Sequence, residues 1–232
     1  MKKTHKISGK KRINKAGWLI AVGLILLSIV PMIAGSARIA ELASGAEITP
    51  ENARFFASPL PVIVHIISSI LFCIVGAFQF VPGFRHRHLS WHRTAGWLLM
   101  SCGIAAALSG LWMTRFYPWP EGDGELLYAM RLVVEAAMLV SIGLSIVAVR
   151  RRDFASHGDW IIRGYAIGLG AGTQVLTHLP WFLLMDTSTP GEFPRAMMMG
   201  AGWAINIVVA EWIIRKKRAR RTRRKRITSA TV

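Results

Sequence analysis

The amino-acid sequence predicts an all-α integral membrane protein, a bundle of six transmembrane helices, and three observations lead to this fold class. Of the 232 residues, 53% are hydrophobic, the mean hydropathy is +0.40, and the apolar residues occur in long blocks separated by charges. Six blocks reach the length of about 20 residues that a helix needs to cross a hydrocarbon core of about 30 Å. Basic and acidic segments alternate between the blocks.

The six blocks are interpreted as helices because none alternates like a barrel strand, and an open sheet edge cannot lie in lipid. They cover residues 17–37, 61–82, 93–115, 126–149, 159–184 and 196–214. The first block follows a basic start, as a signal peptide does, but it is longer than the usual signal core of about 7–15 residues. We therefore expect an uncleaved helix. The expected organisation is a basic N-terminal segment at 1–16, a membrane domain at 17–214 and a basic tail at 215–232.

Local patterns predict where some helices begin. The Thr-Pro-Glu run at 49–51 favours a short surface helix over 50–57, which Pro59 and Pro61 are expected to separate from the second span. The Ser-His-Gly-Asp run at 156–159 fits a capping box that opens the fifth span. The tail after residue 214 is too charged for us to expect that it folds alone.

Charge predicts the orientation of the bundle. Seven Lys and Arg residues precede Trp18, and ten of the twelve residues from Arg215 to Arg226 are basic, whereas alternate loops are neutral or acidic. The positive-inside rule then predicts a multi-pass plasma-membrane protein with both termini in the cytoplasm. A net charge of +17 would suggest nucleic acid as the partner of a soluble protein. The tail lacks interleaved aromatic residues, so we expect no nucleic acid and predict anionic lipid as its partner.

Four histidines lie at the ends of the predicted spans and are the candidate cofactor ligands. The topology places His65 and His178 near the outer face and His92 and His157 near the inner face. Two depth-matched pairs are what two b-type haems would require for electron transfer across the bilayer. Glycines share the helix faces of these histidines, where they would let a flat macrocycle approach the backbone.

A packing interpretation of the same residues stays open. Gly164, Gly168 and Gly172 form the small-residue stripe by which membrane helices commonly pack. His157 and His178 are 21 residues apart, about 31 Å along a helix, which is wide for two buried haems. The pair of His92 and His157 is therefore preferred, and the inner-face arginines Arg85, Arg87 and Arg163 are candidates to meet haem propionates. No metal site is expected, because no carboxylate or cysteine stands beside the histidines at ligand spacing.

Five polar residues inside the spans are candidates to line a cavity. They are Arg131, Glu135, Gln79, Gln174 and Asn206. Arg131 and Glu135 lie four residues apart on one helix face, so they either form a structural ion pair or mark a proton or substrate path. A cavity of this kind would suit a transporter or binding protein for a small apolar or lipid-like ligand. A structural membrane protein without catalysis is the third hypothesis, and no enzyme motif decides among them.

Several runs of the sequence follow the pattern of a known family. His65 with Gly-Ala-Phe-Gln-Phe at 76–80 and His-Arg-Thr-Ala-Gly at 92–96 is similar to the second and third spans of a family of bacterial membrane proteins, domain of unknown function 2306. Residues 151–166 resemble its entry into the fifth span, and Asn206 with Ala-Glu-Trp at 210–212 resembles its last helix. The resemblance covers roughly residues 55–215; His178 lies outside the pattern. It implies a multi-helix bacterial membrane protein and implies no activity.

Overall fold

The computed structural model describes residues 15–81, 88–185 and 190–230, and these residues form eight helices and no strand. Arg85, Arg87 and most of the basic N-terminal segment lie outside the described residues. The helices are α1 (Lys15–Ser44), α2 (Ala53–Ala57), α3 (Pro59–Gln79), α4 (Leu89–Phe116), α5 (Glu125–Arg150), α6 (Phe154–Gly168), α7 (Gly170–Leu184) and α8 (Glu192–Ala230).

The outer surface of the bundle is apolar. Five helices in the described part of the chain, α1, α3, α4, α5 and α8, are long and apolar enough to cross a membrane. Large aliphatic side chains point away from the protein, and Leu19, Val133, Leu183 and Val208 are each 68–73% exposed. A lipid environment accounts for so much outward-facing apolar surface, which water would disfavour. The predicted fold class, an all-α membrane bundle, is confirmed.

A sixth crossing of the bundle is made by two helices in succession. At one end of α5, the Ser145 hydroxyl and the His157 ring are 2.7 Å apart; at the other end, Asp123 accepts a 2.7 Å hydrogen bond from Arg195 of α8. The chain therefore passes from end to end of α5 between residues 157 and 195. The helices α6 and α7 make this passage, with Leu169 between them.

The prediction of a single helix over 159–184 is therefore wrong in one respect, because the helix is interrupted at Leu169. Glycines at 168, 170 and 172 surround the break, and each is less favourable than Ala in a helix by about 1 kcal/mol. These glycines also allow close approach by other helices. A Cβ at Gly170 would lie 2.2 Å from the Trp203 indole nitrogen, and one at Gly172 would lie 2.3 Å from the Leu27 carbonyl oxygen.

Helices that follow one another along the chain pack together. The pairs α3–α4, α4–α5 and α5–α6 are in contact, α8 packs on α6 and α7, and α1 packs on α3 and α7. The main core lies where α3, α5 and α6 meet, around Phe72, Ile142 and Tyr165, each at most 5% exposed. This packing leaves one end of the bundle with Arg93, Arg150 and the basic tail, here called the basic end. The other, acidic end carries Glu41, Asp123 and Glu192.

The helix starts differ from the predicted ones in two places. Pro59 and Pro61 lie in the first turn of α3 instead of before it, since a proline there loses no hydrogen bond. Asp153, and not Ser156, caps α6: its carboxylate accepts from the Ala155 and Ser156 amides at 3.1 and 3.0 Å. The short helix predicted over 50–57 is present as α2, five residues long.

The basic tail is also different from expectation, because it continues α8 as a helix to Ala230. Its first turns contact α6: the Arg218 guanidinium donates to Asp159 at 2.8 Å, and Arg221 lies 3.8 Å from the same carboxylate. The Asp159 side chain is 4% exposed, so it supplies a buried negative charge to which the basic helix is attached. A charged segment thus gains order from a partner that the sequence pattern did not reveal.

Candidate functional site

A half-open cavity of about 280 Å³ lies between α1, α3, α4, α5, α6 and α7, with Trp203 of α8 at its edge. Its wall is largely apolar and includes Met32, Ile66, Phe72, Ala107, Met138 and Ile167. Its polar lining includes His65, Arg131, Glu135 and Gln174 as well as the hydroxyls of Ser28 and Ser69. An apolar pocket with a few convergent polar groups is the usual form of a small-molecule site, and this volume is at the small end of the range.

The hydrogen bonds of His65, a lining residue of the cavity, fix the tautomer of its ring. Nδ1 lies 2.9 Å from the Ala106 carbonyl oxygen of α4, with the Ser109 hydroxyl at 3.4 Å. A carbonyl oxygen accepts and never donates, so Nδ1 carries the hydrogen. In the neutral ring, Nε2 is then a hydrogen-bond acceptor, and no described residue donates to it.

Glu135 reaches the same place from α5. The Thr114 hydroxyl donates to its carboxylate over 3.3 and 3.4 Å. A Cβ added at Gly110 would lie 2.7 Å from Glu135 Oε1 and 3.5 Å from His65 Cε1, so both side chains converge on the bare backbone at Gly110. Because glycine has no Cβ, position 110 provides the space in which the Glu135 carboxylate and the His65 ring approach each other.

Arg131 does not pair with Glu135, which corrects the predicted structural ion pair. Its guanidinium donates to Asp123, whose other oxygen accepts from Arg195 at 2.7 Å. The Asp123 side chain is 2% exposed, and the turn at Gly122 (φ +77°) folds it back against the start of α5. Two arginines thus share one buried carboxylate. Because Arg131 is paired with Asp123, the Glu135 carboxylate lines the cavity without a salt bridge to any described residue.

Gln174 contributes a further acceptor from α7. Its amide nitrogen donates to the Met199 carbonyl at 3.2 Å, which fixes the orientation of the amide and leaves Oε1 as the free end. The other two residues predicted to line a cavity lie elsewhere. Asn206 joins α8 to α6 and α7, with Thr173 at 2.7 Å and the Ala166 carbonyl at 3.0 Å. Gln79 hydrogen-bonds Nδ1 of His92.

The remaining histidines contact neighbouring polar groups. His92 meets Gln79 of α3, and His157 meets Ser145 of α5. Nδ1 of His178 donates 2.7 Å to the Gln174 carbonyl, one turn back on its own helix. His65 is thus the histidine that lines the cavity, together with three of the residues predicted to be polar cavity residues. No sequence pattern indicated this association, because His65 and Glu135 are 70 positions apart and meet through α4.

Helix packing fills the glycine faces that a macrocycle was expected to approach. A Cβ at Gly76 would lie 2.3 Å from the Tyr165 ring, and at Gly103 and Gly168 it would lie 2.8 Å from the Phe72 ring. The Tyr165 hydroxyl also donates to the Cys73 carbonyl at 2.7 Å. These contacts correspond to the packing interpretation of the glycines.

Metal-ligating residues are dispersed in the part of the chain that the structure describes. Among residues 15–81, 88–185 and 190–230, no three or more His, Cys, Asp or Glu side chains are grouped in a way that would hold a metal ion. Cys73 and Cys102 are both buried free thiols inside spans.

Apolar helices with a polar cavity in their midst define a polytopic membrane protein. Residues 62–214, about two-thirds of the chain, match the model of a family described as "Predicted membrane protein (DUF2306)". The chain belongs to this family, and the resemblance seen in the sequence is confirmed. No curated protein and no solved structure matches it.

Proposed function

We propose that the protein binds a small, largely apolar molecule in the cavity between its membrane helices, as a transporter or a binding protein. The observation that carries this proposal is the convergence of His65, Glu135 and Gln174 on one apolar-walled space of about 280 Å³. Polar groups inside a membrane are costly, so three of them around a cavity favour a role in contacting a ligand.

Two features favour a ligand site over a simple packing defect. A gap left by imperfect packing would be lined by apolar groups, whereas this one has three polar groups with hydrogen-bonding capacity left over. The polar side chains are also held by partners on neighbouring helices, namely Ala106, Thr114 and Met199. Such second contacts orient a binding group before the ligand arrives.

A cavity-filling substitution tests the proposal. Ser69 lines the cavity, and Ser69→Phe would place a ring in it. Benzyl alcohol, an apolar ring with one hydroxyl, is the test compound; it should raise the melting temperature of the detergent-solubilised native chain by mass action and have no effect on Ser69→Phe. Ser101→Phe, the same change at an exposed position of α4, is the control and should respond like the native chain. Equal responses of all three proteins would contradict the proposal.

A b-type haem site for transmembrane electron transfer is the second candidate. The observation that favours it is that Nδ1 of each of His65 and His178 is bound to a backbone carbonyl, the arrangement that orients a histidine whose Nε2 ligates a metal. The preferred pair of His92 and His157 would use its Nε2 atoms in the same way. Against this candidate stand the glycine faces, which are already filled by Phe72 and Tyr165.

An absorption spectrum separates the two candidates. Protein purified from haem-replete cells is measured oxidised and then reduced with dithionite. A Soret band that shifts on reduction and is lost in His92→Ala or His157→Ala would support haem. A colourless protein that still binds benzyl alcohol would exclude the haem candidate and support the small-molecule site.

We also propose that the basic end of the bundle faces the cytoplasm and that the tail contacts anionic lipid. Arg150 to Arg152 lie at that end with the helical tail of α8, so the basic residues form one surface. The positive-inside rule and the attraction of about 1 kcal/mol per basic residue near an anionic leaflet support both parts of this proposal.

A further inference from the structure

We infer that the ligand of the cavity is a protonated amine with an apolar body. The inference rests on the proposed function and deepens it, because it specifies the chemistry of the ligand. The juxtaposition that carries it is that three side chains with hydrogen-bond acceptors left over, those of Glu135, His65 and Gln174, line one largely apolar space.

The three groups have in common that they accept hydrogen bonds. The single ring hydrogen of neutral His65 goes to Ala106, so its Nε2 has only a lone pair to offer. The amide nitrogen of Gln174 donates to the Met199 carbonyl, and its amide oxygen remains as an acceptor. The Glu135 carboxylate is an acceptor at both oxygens and receives one long hydrogen bond, from Thr114. A ligand that satisfies all three must bring donors, and an ammonium group carries up to three.

Two donors near the cavity, the Arg131 guanidinium and the Ser28 hydroxyl, have other acceptors. The Arg131 guanidinium donates to Asp123, and its second amino nitrogen lies 4.0 Å from the Met199 sulfur. The Ser28 hydroxyl donates to the Leu24 carbonyl of its own helix at 3.0 Å. The Trp203 indole nitrogen lies against the backbone at Gly170. The Ser69 hydroxyl both donates and accepts, so it suits an amine as well as an alcohol.

The direct partners of the charged groups favour the same ligand class. Asp123, Glu135, Arg131 and Arg195 sum to zero charge at this end of α5, but both arginines bond to Asp123 and neither donates to Glu135. Glu135 lies one turn deeper and has no cation bound to it among the described residues. A buried carboxylate without a partner is costly, and a cation that enters beside it removes that cost. The apolar wall then selects cations that carry a hydrocarbon body over hydrated inorganic ions.

Matched test compounds decide between amine, alcohol and acid. Benzylamine, benzyl alcohol and benzoate share one ring and differ in the polar group, and the amine is protonated at pH 7. We expect the detergent-solubilised native chain to bind benzylamine at least about tenfold more tightly than benzyl alcohol, because a hydrogen bond to a charged group is roughly twice as strong as a neutral one. Benzoate should bind more weakly than either. Calorimetric titration gives the three dissociation constants.

The carboxylate is tested by Glu135→Gln, which keeps the shape of the side chain and removes its charge. The preference for benzylamine should fall to about twofold or less, whereas benzyl alcohol should bind as before. Glu125→Gln is the matched control, since Glu125 lies on the same helix and is exposed; it should keep the full preference. Glu135→Asp retains the charge and should keep most of the preference if Glu135→Gln does not fold.

The outcomes distinguish this inference from the proposed function. If benzyl alcohol binds in a way that Ser69→Phe abolishes but benzylamine binds no better, the cavity is a ligand site and the amine inference is wrong. Tighter binding of benzoate would overturn the inference in favour of an anion held by Arg131. If none of the three compounds binds, both the proposed function and the inference fail.

Discussion

At the scale of single residues, two glycines in spans have opposite surroundings. A Cβ at Gly76 of α3 would meet the Tyr165 ring at 2.3 Å, whereas a Cβ at Gly96 of α4 would meet nothing within 4 Å. Tyr165 is held in place by its hydrogen bond to the Cys73 carbonyl and by the Phe72 ring 5.4 Å away. One glycine is therefore required by packing, and the other is free to change.

This difference gives a paired prediction. Gly76→Ala should destabilise the protein by about 1–3 kcal/mol, because the ring must move in a filled core. Gly96→Ala should be neutral or stabilise by up to about 1 kcal/mol, since alanine has the higher helix propensity. Melting temperatures in detergent measure both changes. Equal effects of the two substitutions would show that the Tyr165 contact does not constrain position 76.

Sequence reasoning finds individual polar residues more reliably than it finds their partners. Glu135 and Gln174 stand out because polar residues inside apolar blocks are rare, and both line the cavity. The one-turn spacing of Arg131 and Glu135 suggests an ion pair as one of two interpretations, but the structure shows no bond between them. The turn at Gly122 instead returns Asp123 to Arg131, and such a tertiary contact leaves no periodic trace in the sequence.

At the scale of elements, the helix ends depend on single hydrogen-bonding groups, and the start of α6 is the best example. Asp153 accepts from two backbone amides and from the Ser156 hydroxyl at 2.6 Å. The Ser156 hydroxyl and amide hold the pKa of Asp153 below its usual range. The cap therefore functions with the carboxylate ionised.

Removing this carboxylate should open the first turn of α6. We expect Asp153→Ala to lower the hydrogen-exchange protection of the Ala155 and Ser156 amides, while Asp153→Ser, which keeps a capping oxygen, should preserve most of it. In the native chain, the contribution of the cap is complete above the ordinary aspartate pKa and is lost as the pH falls through the lowered one. This role would be contradicted if the protection of the two amides did not change with pH in the native chain, as is expected for Asp153→Ala.

Apolar block length predicts which segments become helices, because a span must satisfy its backbone internally. The same criterion misses the break at Leu169, since the apolar pattern runs on through it and the interruption depends on Trp203 and Leu27 lying against neighbouring glycines. It also misses the helical tail, whose order depends on Asp159. Both errors concern contacts between elements, and a single-sequence pattern describes each element alone.

At the scale of the whole molecule, charge divides the bundle into a basic and an acidic end. The basic end carries Arg150 to Arg152 and the α8 tail, and the acidic end carries Glu41, Asp123 and Glu192. Arginines occur at the acidic end too: Arg38, Arg131 and Arg195 are each bound to a carboxylate, whereas Arg54 donates to the Pro118 carbonyl at 3.3 Å and Arg115 lies over the Phe116 ring. Most of the positive charge of the described residues is nevertheless at the basic end.

The orientation that this asymmetry predicts is measured by cysteine labelling. Glu47→Cys, at the acidic end, should react with a membrane-impermeant maleimide on intact cells. Ser229→Cys, in the tail, should react only after permeabilisation. The chain without either substitution is the control, since its cysteines are buried inside spans. The opposite pattern would place the basic end outside and overturn the proposed topology.

The way the cavity is assembled has a consequence for the order in which the protein matures during synthesis. The pairs α3–α4, α4–α5 and α5–α6 join neighbours along the chain, so each can form soon after its second helix leaves the ribosome. The cavity also needs Gln174 of α7, Trp203 of α8 and the contact of α1 with α7, which spans most of the chain. A nascent chain halted before residue 170 would thus contain most of the bundle and lack a complete binding site, so ligand binding would report completion of the last two helices.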